Sequence, residues 1–154
     1  MADDNTISTL NNLIETCKDG QEGFKQAAEG IQRSDVKSAF YEFGQQRAKF
    51  AGELQALVRD LGGDPETTSS TAGALHRGWI NIKSAITGKD DAAILNEAER
   101  GEDVAVNAYK KALEENLPAN VQTVVQQQAT EVKTAHDRVR DLRDSANATN
   151  AATT

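Results

Sequence analysis

Residues 34–61, SDVKSAFYEFGQQRAKFAGELQALVRDL, decide the fold. Val36, Phe40, Phe43, Phe50, Leu54, Leu57 and Leu61 recur at steps of three and four, with a gap at Arg47. This is the repeat of a helix that buries one narrow apolar stripe. Three other stretches carry the same repeat with a polar break near the middle. Ile7, Leu10, Ile14 and Cys17 precede Gln21, and Phe24 and Ala28 follow it. Leu95 and Ala98 precede Glu102, and Ala105, Tyr109 and Leu113 follow. Val121 and Val125 precede Gln128, and Val132, Ala135, Val139 and Leu142 follow. Four such stripes fit together as an all-α four-helix bundle, and breaks at matching height place a polar layer in its core. Bundle cores at such a height are where metal sites are often built.

Punctuation sets the connections. Asn5 or Thr6 suits the cap of the first long helix, and Gly30 suits its end. Ser34 opens the second, with Asp35 in the first turn where the helix dipole favours an anion. That helix stops at Gly62-Gly63-Asp64-Pro65 after about 28 residues, or roughly 42 Å. The short link around Gly30 makes the two antiparallel neighbours. Asp64 to Thr71 reads as an exposed loop, and Ala72 to Thr87 as a shorter amphipathic helix through Leu75, Trp79, Ile82 and Ile86, ended by Gly88. This long crossover lets the second and third long helices run parallel. The third begins near Asp90-Asp91 and runs to about Asn116. Pro118 breaks it and suits the first turn of the fourth, which runs to about Ser145. The chain thus reads as one domain over 1–145 and a disordered tail over 146–154, which lacks large apolar groups. The glycosylation triplet Asn147-Ala148-Thr149 reads as chance.

Composition narrows the function classes. The chain has 154 residues, enough for one domain with a real core. It is 5% aromatic with two prolines, which suits long helices better than a β-sandwich. A net charge of -7 argues against nucleic acid or an anionic membrane as partner. No apolar run approaches the roughly 20 residues that span a bilayer, and the acidic start Met1-Ala2-Asp3-Asp4 is no secretory signal. The single Cys17 lies on an apolar seam and reads as a buried inert thiol. The expected setting is reducing and cytoplasmic.

Two helical hairpins joined by a long crossover resemble the ferritin-like fold. The words LNNLIETCKDG (10–20), ALHRGW (74–79), ERGED (99–103) and AHDR (135–138) resemble an uncharacterised bacterial ferritin-like family, domain of unknown function 2383, over roughly residues 6–144. The resemblance implies a fold and little chemistry. Di-iron bundles of this kind take a Glu from each of two helices and a Glu-x-x-His pair from each of the others. This chain has two histidines, and neither fits: Lys133 stands three before His136 and Gly73 three before His76. Where the second helix would carry a pair it has Gln45-Gln46-Arg47-Ala48-Lys49-Phe50, and an arginine is a fixed positive charge.

Two readings of the layer follow. In the first, Arg47 takes the place of metal and meets a buried acid, Glu102 first and Glu22 second, with Gln21 and Gln128 completing the hydrogen bonds; the blander version has Arg47 snorkelling to solvent. In the second, Glu99, Glu102, Glu131 and His136 hold iron, manganese or zinc weakly. His76, Arg77 and Trp79 form either a partner patch or the packing of the crossover. Lys133, Arg138, Arg140 and Arg143 alternate with Asp137, Asp141 and Asp144, a solvated mixed-charge face. No nucleophile elbow, phosphate loop or Cys/His metal spacing is present. The expectation is a non-enzymatic scaffold or interaction protein without cofactor, stress-associated by loose analogy, whose partner is an unknown protein or a second copy. The alternatives are the weak metal binder and a small-molecule or lipid carrier using small residues Ala98, Gly101, Ala105 and Ala108.

Overall fold

The computed structural model describes the backbone of residues 2–66 and 78–153 and the side chains of 4–66 and 78–146. Among the described residues five helices follow in order: α1 (Ala2–Gly30), α2 (Ser34–Asp60), α3 (Ile82–Thr87), α4 (Asp91–Leu113) and α5 (Ala119–Thr153). The apolar stripes dictate the packing. α1 lies against α2 and α4, and α5 against α4 and α2, so that α2 and α4 face each other across the diagonal.

The ends fix the directions. Asp91, in the first turn of α4, accepts from the backbone N–H groups of Gln32 (2.9 Å) and Arg33 (3.2 Å) in the α1–α2 link. At the other end Asn11 donates to the Asp64 carbonyl (3.2 Å) and accepts from the Glu66 N–H (2.8 Å). Ser8 and Asn12 of α1 share a surface hollow there with Lys111 and Glu115, at the far end of α4. Hence α1 is antiparallel to α2 and α4, and α2 is parallel to α4, as the long crossover requires.

The core comes in two parts. One gathers Leu10, Leu13, Ile14 and Cys17 with Phe50, Leu54, Val58, Tyr109, Val121 and Val125. The other gathers Phe24, Ala28, Ile31 and Phe40 with Trp79, Ile82, Leu95, Ala98 and Val139. Each fully buried large side chain contributes about 1.5–3 kcal/mol. Arg47 and Glu102 are buried, as is Gln128, which lies among residues of the first part.

Local chemistry sets the helix ends. α2 opens at Ser34 as expected; Arg33 stands at its cap, and its guanidinium pairs with Asp35 instead of capping. Asp90 caps α4 by accepting from the Ala92 N–H at 3.0 Å. Pro118 precedes α5 and accepts from the Gln122 N–H at 2.8 Å. α5 runs on through Thr153, so the tail expected to be disordered over 146–154 is helical as far as 153. Extending a formed helix escapes the nucleation cost, and alanine, frequent there, is the best helix former.

The crossover helix is also shorter than expected. Residues 72–77 lie outside the described residues. Gly78 has φ +97°, a left-handed conformation no helix contains, and α3 begins only at Ile82. The turn at 78–81 exists to insert Trp79. Its indole fills a slot between α1 and α4, where a Cβ at Gly23 or at Gly101 would come within 2.2 Å of the ring. Phe24 meets the indole edge-on, with centroids 4.9 Å apart.

Candidate functional site

The stripe breaks of α2 and α4 meet on the bundle axis. Arg47 donates from Nη1 to Glu102 Oε1 and from Nη2 to Oε2, both at 2.6 Å. The side chains are 1% and 0% exposed, so the pair is sealed from water. Nε donates to Gln46 Oε1 at 3.2 Å, and the guanidinium carbon stands 5.5 Å from the Phe24 centroid. A Cβ at Gly20 would lie 3.4 Å from Arg47 Cγ and Nη1, which shows how closely the arginine lies along α1. Burial alone would push the guanidinium's pKa down. The charge and hydrogen bonds of Glu102 outweigh it, and the net shift is upward. The arginine does not snorkel.

A second chain of hydrogen bonds completes the layer. Tyr109 donates its hydroxyl proton to Gln128 Oε1 at 2.7 Å. Gln128 Nε2 donates to Glu53 Oε1 at 2.9 Å and to the Phe50 carbonyl at 3.4 Å. With the tyrosine proton committed to Gln128, the thiol of Cys17, 3.2 Å away, donates to the phenol oxygen. Burial pushes this thiol up to about 11, only partly opposed by the Tyr109 bond and the Arg47 charge. Burial, then the neighbouring Cys17, raises the phenol too. Neither group ionises near neutral pH.

The remaining expected layer members are placed differently. Gln21 is half-buried, and its buried Oε1 has no hydrogen-bond partner among the described residues. Glu22 does not belong to the layer. It is exposed and accepts from Gln26 Nε2 at 3.1 Å, because one residue past Gln21 is about 100° further round the helix. Cys17, Tyr109 and Glu53 are members the sequence reading missed. Tyr109 sat on an apolar stripe, and its hydroxyl was the available signal.

The expected metal set Glu99, Glu102, Glu131 and His136 does not assemble. Glu102 faces the axis and is claimed by Arg47, whereas Glu131 is exposed. Glu99 and His136 instead meet Asp103, with one ligand atom of each residue within 4.8 Å of the others. His136 Nε2 lies 2.6 Å from Asp103 Oδ1, and its Nδ1 lies 3.1 Å from Asp137 Oδ1. Asp137 accepts from Lys133 Nζ at 2.7 Å. That hydrogen bond, then the one to His136, lowers its carboxyl to about 2. Arg143 pairs with Glu99 and, at 2.8 Å, with Asp144. Asp103 was legible as the i+4 neighbour of Glu99 on one face of a helix.

Of the expected partner patch, His76 and Arg77 lie outside the described residues. Trp79 is 1% exposed and is a core residue, so it is no surface anchor; its neighbour Ile80 is the exposed one. Gly101 opens the slot that Trp79 fills, and Ala98 and Ala105 are buried in the packing of α4. The small residues of α4 therefore serve close packing here.

A family model described as domain of unknown function (DUF2383) matches residues 5–115. No curated protein matches the chain. Among solved structures the fold is similar to the bacterioferritin-related protein from Bacteroides fragilis, a dodecameric thioferritin. The TM-score is 0.82 at 16% identity, over 98% of this chain and 92% of that one. The four-helix bundle with its long crossover is thus a ferritin-like fold.

Proposed function

This chain belongs to the DUF2383 family, and we propose that it is a non-catalytic ferritin-like bundle, a scaffold or interaction protein whose centre is closed by protein groups rather than by a metal pair. One observation carries the reading. At mid-height on the axis, Arg47 grips both oxygens of Glu102, out of contact with water. Both lone-pair faces that a bridging carboxylate would turn to metal are given to N–H groups. A fixed cation held in a low-dielectric core repels further cations strongly. The layer divides the core into two apolar parts and fixes helix register, as single polar core residues do in coiled coils.

Self-association is the interaction the comparison favours, because the Bacteroides fragilis protein is a dodecamer. Tyr41 and Ile80 are exposed large apolar side chains and suit such contacts. Among the described residues no helix is long and apolar enough to cross a membrane.

The test is metal analysis of protein purified after growth with and without added iron, paired with light scattering for the assembly state. The reading expects no iron pair in either preparation and a defined oligomer or a captured protein partner. A pair of irons per chain, retained when the surface residues Asp103 and His136 are substituted, overturns it.

A further inference from the structure

We propose that Glu99, Asp103 and His136 form a peripheral site for one divalent transition cation on the outer face of the α4–α5 hairpin. The site is separate from the central layer, and its existence does not depend on how that layer is read.

The donor set is the first argument. Glu99 and Asp103 stand four apart on α4 and so project side by side, and antiparallel α5 brings His136 opposite them. One imidazole nitrogen and two carboxylate oxygens suit zinc or a similar borderline ion, with water in the open position. Their ligand atoms already lie within 4.8 Å of one another. An ion bonded at roughly 2.0–2.2 Å to each sets its ligand atoms about 3.4 Å apart, so the Nε2–Asp103 contact opens to admit it and the wider separations close, a movement the exposed Asp103 side chain can make.

The histidine's setting is the second argument. Its Nε2 faces Asp103 at 2.6 Å while Nδ1 faces Asp137 at 3.1 Å. With an ion on Nε2, Nδ1–H donates to Asp137. This carboxylate outside the ligand set orients the ring as outer carboxylates do for metal-bound histidines. Lys133 holds Asp137 in turn. Burial is graded to match: Glu99 and His136 are 13% and 14% exposed and form a floor, while Asp103 is 57% exposed and free to close over an ion. Arg143 is the rival cation on Glu99, but it has Asp144 as a second partner to retain when displaced.

Zn²⁺ and Co²⁺ titrations of the full chain test this by calorimetry and by visible absorption of bound Co²⁺. One saturable equivalent is expected. Asp103→Asn, at an exposed position, should weaken it about 10–100-fold, and His136→Ala should abolish the Co²⁺ signal. Glu131→Gln should change nothing. Arg143→Ala, which frees Glu99, should tighten binding. Melting curves of each variant separate lost ligands from lost fold. Failure to saturate by about 1 mM, or equal affinity in Asp103→Asn and His136→Ala, overturns the proposal. Two equivalents that survive both substitutions count against the closed central layer and also against this site.

Discussion

Glu102 turns to the bundle axis and meets Arg47 with both oxygens; Asp103, the next residue, turns to solvent and meets His136. Both are α4 carboxylates at one height, each held by a nitrogen partner on another helix. Water is what differs. The inner pair is sealed, so each charge depends wholly on the other, and removing one leaves an ion that nothing solvates. The outer group keeps water as an alternative partner, so its contacts are worth less to the fold and stay free to exchange for a ligand. One residue of helix rotation separates structural chemistry from exchangeable chemistry.

The comparison breaks first at Arg47. Arg47→Leu should lower unfolding free energy by about 3–5 kcal/mol, because Glu102 is left buried and unpaired. Arg47→Leu with Glu102→Leu should recover most of that loss, since an apolar pair of similar volume is often neutral or stabilising. Denaturant melts measure both. A single-variant cost below about 0.5 kcal/mol would mean that the pair is not sealed.

Tyr109→Phe is the next largest. It keeps the ring but strands Gln128 Oε1 and removes the oxygen to which Cys17 donates, at about 1–3 kcal/mol. A loss equal to that of an exposed Tyr41→Phe control would show that water enters the layer.

Cys17 should matter only at high pH. Its thiol rises from 9.0 to about 11 in the fold, so the unfolded chain releases the proton first. The stabilisation is therefore present below pH 9 and fades as pH climbs towards 11. Cys17→Ala should flatten that decline in unfolding midpoint. Below pH 9 the native thiol should alkylate far more slowly than the unfolded one.

What the sequence made legible follows the same inner and outer division. The Arg47–Glu102 pair could be read because period alone puts both residues on buried stripes, and a buried cation demands an anion. Glu22 was misjudged because a stripe resolves a face only to about one residue, and Gln21 occupied that face. The packing of Trp79 was one of the two roles read for it, but its slot was hidden, since Gly23 and Gly101 are far apart in sequence and only the fold sets them on either side of one indole. The helical end of α5 was missed for lack of large apolar residues, although a run rich in alanine needs none to prolong a helix. Of the outer cluster, Glu99 and His136 were named as candidate ligands, but Asp103 was passed over in favour of Glu102 and Glu131, because a lone helix carboxylate looks like ordinary surface polarity until the hairpin sets it against His136.

The smallest expected effect lies at the outermost link. Lys133, then His136, holds the Asp137 carboxyl at about 2, down from 3.8. A lowered acid stabilises the fold above its unfolded pKa, and the contribution is lost as pH falls from 3.8 towards 2. The Asp137 side chain is partly open to solvent, so water already satisfies much of its charge and the melting curve should barely move in Lys133→Met. Its titration should move instead, read by NMR at the Asp137 carboxyl carbon, upward towards 3.8. An upward shift with an unchanged melt would place Asp137 with the exchangeable outer groups and identify Lys133 as the residue that keeps it ionised beside His136. A melt that collapses with the titration would show the hairpin leaning on this surface as heavily as on its sealed centre, and the division between the two regions would fail.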